Sequence, residues 1–161
     1  MSLSIRPYEP GDFARVLEIC VAAFTPIHEG FKAALGPEIF EREYSGWRER
    51  YATDIQQLAG APGTVLHVAQ DGGAIVGFIT TVANAAKKVG EIGLNAVDPA
   101  VQGRGIGRFM YRFALQSLKE RGAEVATVGT GADAAHAPAR AAYEAAGFDR
   151  SISSIYYFMK L

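Results

Sequence analysis

The chain is predicted to be an α+β domain, a central sheet with helices on its faces, and three observations predict it. Apolar residues recur at helical spacing in Phe13, Val16, Leu17, Cys20 and Phe24, alternate through Thr64–Gln70 and Ala74–Ala83, and return to helical spacing in Ile106, Met110, Phe113 and Leu118. Glycine and proline clusters punctuate these runs. The sharpest is Asp71-Gly72-Gly73, a hairpin signal because glycine tolerates the positive φ of a tight turn. No repeat, low-complexity tract or block of like charge interrupts the 161 residues, which suit one domain over 1–161.

The elements follow in order. Leu3–Tyr8 alternates as a short strand, and Pro10-Gly11-Asp12 breaks it before the first helix. After Pro26 an irregular stretch is expected over Ile27–Gly36. A second amphipathic helix then carries Phe40, Tyr44, Trp47, Tyr51, Ile55 and Leu58 on one stripe, which is read as core rather than ligand surface. Ala59 to Gly63 ends it. The hairpin strands come next, and a third strand, Val89–Val97, follows the Lys87-Lys88 turn. A long helix runs Gly105–Arg121, Glu124–Gly129 is a short strand, Pro138–Ala146 is an alanine-rich helix closed by Gly147, and Ser154–Met159 is a last strand. This order contains an antiparallel meander and is not a regular βαβ array.

Composition excludes several function classes. With 49% apolar residues, 20% charged and a net charge of −1, the chain has no clustered basic surface for nucleic acid. No apolar run approaches the ~20 residues that cross a bilayer, and the opening MSLSIRPYEPGDF lacks a signal-peptide pattern, so a cytoplasmic protein without a membrane role is expected. The lone Cys20 lies on an apolar stripe and reads as a buried small hydrophobe, not a nucleophile. Three scattered histidines show no metal-ligand spacing, so metal-free chemistry is expected.

The sharpest local signal is Val97-Asp98-Pro99-Ala100-Val101-Gln102-Gly103-Arg104-Gly105-Ile106-Gly107, where a strand ends in Asp-Pro and three alternate glycines open a helix. Such a junction suits an anion. The first-turn N–H groups point outward with the positive end of the helix dipole, and glycine lets the backbone close on a phosphate. A P-loop would need Gly-Lys-Ser/Thr where Gly107-Arg108-Phe109 stands, and a dinucleotide fingerprint would need its third glycine one residue later in a βαβ unit.

Gln102-Gly103-Arg104-Gly105-Ile106-Gly107 resembles the coenzyme-binding motif of the GNAT-type N-acetyltransferases, Gln/Arg-x-x-Gly-x-Gly/Ala. The stretch Glu91 to Pro99 is similar to that family's fourth strand, and Ala139 to Phe148 to its second signature. The resemblance is specific from about Val76 to Phe148. It implies the GNAT acyl-CoA N-acyltransferase fold, a mixed sheet of six to seven strands flanked by about four helices. It also implies transfer of an acetyl group from acetyl-CoA to an amine of a small molecule or peptide, by direct attack in a ternary complex.

The resemblance further implies site roles. Gln102, Gly103, Arg104, Gly105, Ile106, Gly107 and Arg108 would meet the coenzyme's phosphates, and Ala96 and Val97 its pantetheine arm. The Ala96 N–H would serve as an oxyanion donor, a group worth ~3 kcal/mol when well placed. Glu91 matches the position of a general base in some members, and strand alternation would put Asn95 on its face. Tyr143 matches a tyrosine that protonates the departing thiolate. Where many relatives carry an asparagine, this chain reads Gly131-Ala132-Asp133-Ala134-Ala135-His136, so Asp133 or His136 would substitute in contacting coenzyme. The acceptor would meet Ile27, His28, Glu29, Phe31 and Asn95, and a homodimer is expected. Two alternatives stand beside this reading: an acyl-CoA-binding module without catalysis, and a nucleotide-dependent oxidoreductase.

Overall fold

The computed structural model describes residues 2–161. Strand β1 (Leu3–Pro7) is followed by a 3-10 turn (Pro10–Asp12) and by helices α1 (Phe13–Tyr44) and α2 (Trp47–Gly60). Strands β2 (Thr64–Asp71), β3 (Ala74–Asn84) and β4 (Val89–Val97) form the meander. A 3-10 turn (Pro99–Val101) leads to α3 (Ile106–Glu120), then β5 (Val125–Val128), a 3-10 turn (Ala134–His136) and α4 (Ala137–Ala145).

The sheet order is β1-β2-β3-β4-β5, antiparallel except for the parallel β4–β5 pair. Alternation along β3 divides the core. Phe78 packs with Val16, Ile19 and Cys20 of α1 and Ile55 of α2, whereas Ile79 packs with Met110, Ala114 and Leu118 of α3. Cys20 is fully buried, and burial, with the nearby Asp54 charge adding, pushes its thiol up to about 12. It stays a protonated core thiol.

Three expectations are corrected. The stretch Ile27–Gly36 is helical, because His28 gains a stack on Trp47 of α2 and Phe31 a contact with Tyr44 at the end of α1, packing that outweighs the local cost of Pro26. The break comes instead at Gly36, where φ is +76°, and Pro37 starts the next helical stretch. The second helix is likewise interrupted, since Gly46 at φ +72° separates Tyr44 from Trp47. Finally, the sheet has five strands among the described residues, because Ser154–Met159 forms none. The chain after Gly147 travels toward α1, where Lys160 pairs with Glu38, and away from the open edge of β5.

Candidate active site

Strand β4 sets the geometry. It pairs with β5 only from Val89 to Ile92, so the edge from Gly93 to Val97 is left free on that side. A register shift between Ile79 and Thr81 marks a bulge, with Gly93 and Leu94 together opposite Thr80, one residue more than the ladder needs. Gly93 is required there, since a Cβ would stand 2.7 Å from the Thr80 hydroxyl, which itself donates to the Leu94 carbonyl at 3.0 Å. The main chain left unpaired on this edge can accept an extended chain as an added strand.

The bulge also corrects a face assignment. Ile92 sits opposite Thr81 and Asn95 opposite Ile79, so Asn95 falls on the α3 face with Ile92. Glu91 lies on the other face, exposed, between Val82 and Thr127. The extra residue reverses the alternation that would have joined Glu91 to Asn95.

On the α3 face a small polar network forms inside apolar packing. The Tyr111 hydroxyl donates to Asn95 Oδ1 at 3.0 Å, and Asn95 Nδ2 reaches the Gly93 carbonyl at 2.8 Å and the Tyr143 hydroxyl at 3.4 Å. The Tyr111 and Tyr143 rings lie 5.0 Å apart. Burial, with Tyr143 beside it, pushes the Tyr111 phenol far up, so it remains a donor. Tyr111 is absent from the sequence expectations, because in a helix an apolar stripe hides a tyrosine whose hydroxyl has a specific partner.

At the end of β4 the glycine loop is open. Gly103 and Gly105 hold φ of +78° and +79°, with nothing within 4 Å of a built Cβ. Helix α3 starts at Ile106 without a side-chain cap, so its first-turn N–H groups face outward around Gly107 and Arg108. Arg104 and Arg108 are exposed beside them, and Gln102 braces the loop by donating to the Val97 carbonyl at 3.3 Å. Ala96 is buried in register with Phe78, and Val97 pairs with Gly77. Asp98 accepts from Ala100 N at 2.9 Å and pairs with Arg15, which ties the loop to α1. These uncapped amides and arginines fit a diphosphate.

Across the sheet, α1, α2 and the Ala134–His136 turn enclose a cavity of about 300 Å³, lined in part by Ile27, His28, Phe31, Tyr44, Trp47 and Tyr51. The aromatic stripe expected as core therefore exposes its edge to a cavity. Glu29 stands exposed on α1, outside the lining. His28 is 7% exposed, stacks on Trp47 at 4.0 Å, and has neither ring nitrogen hydrogen-bonded. Burial, helped by Arg50 and Arg48, holds it down to about 4, so it is neutral. His136 and Asp54 also line the cavity. A larger hollow of about 730 Å³ runs along α3 past Arg108, Arg112 and Lys119, but none of the tyrosine network lines it.

Asp133 and His136 are brought together on the turn before α4. His136 Nδ1 and Asp133 Oδ2 are 2.6 Å apart, and Asp133 Oδ1 accepts from Ala135 N and His136 N at 3.0 and 3.3 Å. Both carboxylate oxygens are thus engaged within the turn. Among the described residues no group of three or more His, Cys, Asp or Glu is arranged to hold a metal ion, and no helix is long and apolar enough to cross a membrane.

Comparison with known proteins adds a family. The acetyltransferase (GNAT) family profile matches residues 33–148. Mycothiol acetyltransferase of Rhodococcus erythropolis is 30% identical over 92% of this chain and 47% of its own length, and that of Mycolicibacterium gilvum 31% over 87% and 43%. The chain therefore spans about half the length of the curated relatives it matches. The crystal structure of PaiA N-acetyltransferase from Thermoplasma acidophilum in complex with coenzyme A shares the fold. It aligns with a TM-score of 0.70 at 17% identity over 96% of this chain and 94% of that one.

Proposed function

This chain belongs to the acetyltransferase (GNAT) family, and from that premise we propose that it transfers the acetyl group of acetyl-CoA to an amine by direct attack in a ternary complex. The observation that carries the reading is the continuity of two features. The uncapped glycine loop at Gln102–Gly107 adjoins the free edge of β4, and that edge runs back to the Asn95–Tyr143 contact. The loop amides, Arg104 and Arg108 hold the diphosphate, and Ala96 and Val97 flank the pantetheine arm. The coenzyme supplies an activated thioester.

The residues of the chain do the rest. Ala96 faces Phe78 in the β3 ladder, in phase with the Asp98 N–H that donates to Val76. The N–H that stabilises charge on the carbonyl oxygen is therefore that of its neighbour Val97 on the free edge, and Tyr143 gives a proton to the departing sulfur. The aromatic cavity behind β4 receives the acceptor. Its rings and the Asp54 carboxylate suit a cationic amine of a small molecule or peptide N-terminus. Because the matched relatives are mycothiol acetyltransferases, the acceptor amine of those enzymes is one member of that class to test. A cytoplasmic site of action, where a lone thiol such as Cys20 stays reduced, belongs to the same proposal.

Assembly as a homodimer is also proposed. Ile152, Ile155, Tyr156, Tyr157 and Met159 are each more than three-quarters exposed, and β5 is an open edge. An apolar segment of strand-like composition and an unpaired edge are complementary hazards, and pairing between two copies removes both.

The test is an amine screen with thiol release as readout, preceded by titration of acetyl-CoA against thermal stability. Stabilisation together with release that depends on an acceptor supports the transferase. Stabilisation with no release from any amine would favour a binding module instead.

A further inference from the structure

Resting on the transferase reading, we propose that His136, oriented by Asp133, is the general base that takes the proton from the acceptor amine. Four features of the turn before α4 point to a built dyad and not to an incidental surface pair. Asp133 reaches His136 Nδ1 at 2.6 Å with one oxygen and caps the turn with the other. The carboxylate thereby fixes the imidazole with its proton on Nδ1 and leaves the lone pair on Nε2. Arg140, one turn into α4, donates to the carbonyls of Gly131 and Asp133, both at 2.7 Å, and so clamps the loop from behind.

Gly131 is the third feature. A Cβ there would overlap the ring at Nδ1 and stand 2.5 Å from Asp133 Oδ2. The residue carries no positive φ, so its need for glycine comes from the close approach of the pair and not from the backbone. The fourth feature is direction. The His136 side chain is only 15% exposed, its ring lies 6.5 Å from that of Phe31, and it forms part of the wall of the aromatic cavity proposed for the acceptor.

The chemistry needs such a group. An alkylamine, with a reference pKa near 10.4, is almost wholly protonated at neutral pH and has no lone pair for attack. His136 Nε2 takes that proton and passes it to solvent. The freed nitrogen forms the C–N bond as the C–S bond breaks. Tyr143 protonates the leaving sulfur, and the second proton, shed as the nitrogen becomes an amide, restores the Tyr143 hydroxyl, so that one proton in all leaves to solvent through His136. The other titratable groups facing the cavity are poor candidates. His28 is neutral, but its nitrogens are sealed in aromatic packing, and burial holds Tyr51 up as a protonated phenol. Burial likewise raises Tyr44. Arg50 is a permanent cation, and Asp54 lies on α2 without the orienting partner that His136 has. Glu91 is exposed on β4 and does not line the cavity.

The test compares wild type with His136→Gln, Asp133→Asn and Gly131→Ala, the last leaving both titratable side chains in place while forcing them apart. Thiol release is followed against pH for the amine the wild type turns over fastest, and for a fluorinated analogue that is largely neutral at pH 7. With the basic amine, His136→Gln is expected to lower kcat/KM about 100-fold at neutral pH and to abolish the limb that falls on the acid side. With the neutral analogue the loss is expected to shrink to a few-fold, because no proton need be removed first, and coenzyme affinity is expected to hold. A second readout does not depend on turnover: nitrogen NMR of the neutral imidazole is expected to show the Nδ1–H tautomer in wild type and to lose that preference in Asp133→Asn and Gly131→Ala.

An Nε2–H tautomer in wild type would overturn the proposal, since the nitrogen at the cavity would carry no lone pair. Equal losses with both amines would overturn it as well, as would transfer of the acid limb to Glu91→Gln. Absence of thiol release from wild type with every amine would instead remove the transferase reading, and the dyad's role with it.

Discussion

Asn95 Nδ2 lies 3.4 Å from the Tyr143 hydroxyl, a contact across 48 residues of sequence that joins the strand beside the β4 bulge to the last turn of α4. With Tyr111 donating to Asn95 from the other side, the amide has its acceptor filled and its donors aimed. The Tyr143 oxygen is therefore held as an acceptor toward Asn95, and its own proton is free to point toward the unpaired edge of β4.

Replacing Tyr143 by Phe removes that proton without changing the ring packing against Tyr111 and Phe148. The expected outcome is a kcat lowered by about 100-fold or more, with coenzyme affinity within a few-fold of wild type. Thiol-release kinetics and calorimetry measure the two. Equal turnover in Y143F would remove the hydroxyl as the acid.

The glycine loop makes a prediction about affinity. Gly103 and Gly105 stand in the left-handed region, where a side chain costs roughly 1–2 kcal/mol. Gly105→Ala is therefore expected to weaken coenzyme binding about tenfold by displacing the amides at the start of α3, in line with 1.4 kcal/mol per decade. The space around it is empty, so thermal stability without ligand is expected to fall only by that conformational cost. Binding isotherms for G105A and wild type settle the matter, and unchanged affinity would dissociate the loop from the phosphates.

The exposed segment after Gly147 makes a prediction about assembly. If Tyr157 is buried between two copies, Tyr157→Asp loses about 2 kcal/mol of apolar burial per copy and is expected to raise the dimer dissociation constant well over tenfold. Light scattering across a dilution series reads the change. A chain that is monomeric at all concentrations before mutation would contradict the assembly.

Legibility in the sequence followed the range of the interactions. The hairpin at Gly72-Gly73, the glycine loop and helix α3 are set by neighbours within a few residues, and the structure has them where periodicity puts them. What failed depends on distant partners. The helical course of Ile27–Gly36 is decided by Trp47 and Tyr44, and the face of Asn95 by a bulge whose register against β3 no local pattern reports. The fate of Ser154–Met159 depends on an edge to pair with, which strand propensity does not name. Gly131 was visible as a residue but not as a contact, because its role exists only once Asp133 and His136 have folded onto it.

His28 makes the last prediction, and its sign follows from linkage. Burial, with Arg50 and Arg48 beside it, lowers the folded-state value to about 4, against 6.5 for a free histidine. Between those values the unfolded chain binds a proton that the folded chain does not, so stability rises with pH across this window and is complete above 6.5. Acidification from 6.5 toward 4 is therefore expected to remove up to about 3 kcal/mol, at 1.36 kcal/mol per unit. In His28→Phe, whose ring keeps the stack on Trp47, that part of the slope is expected to vanish, and stability at neutral pH to rise as two unpartnered buried nitrogens are lost. His67, also lowered by burial, keeps a residual slope in both proteins. Urea unfolding at a series of pH values measures the difference, and parallel curves for H28F and wild type would show that the imidazole is protonated in the folded state after all.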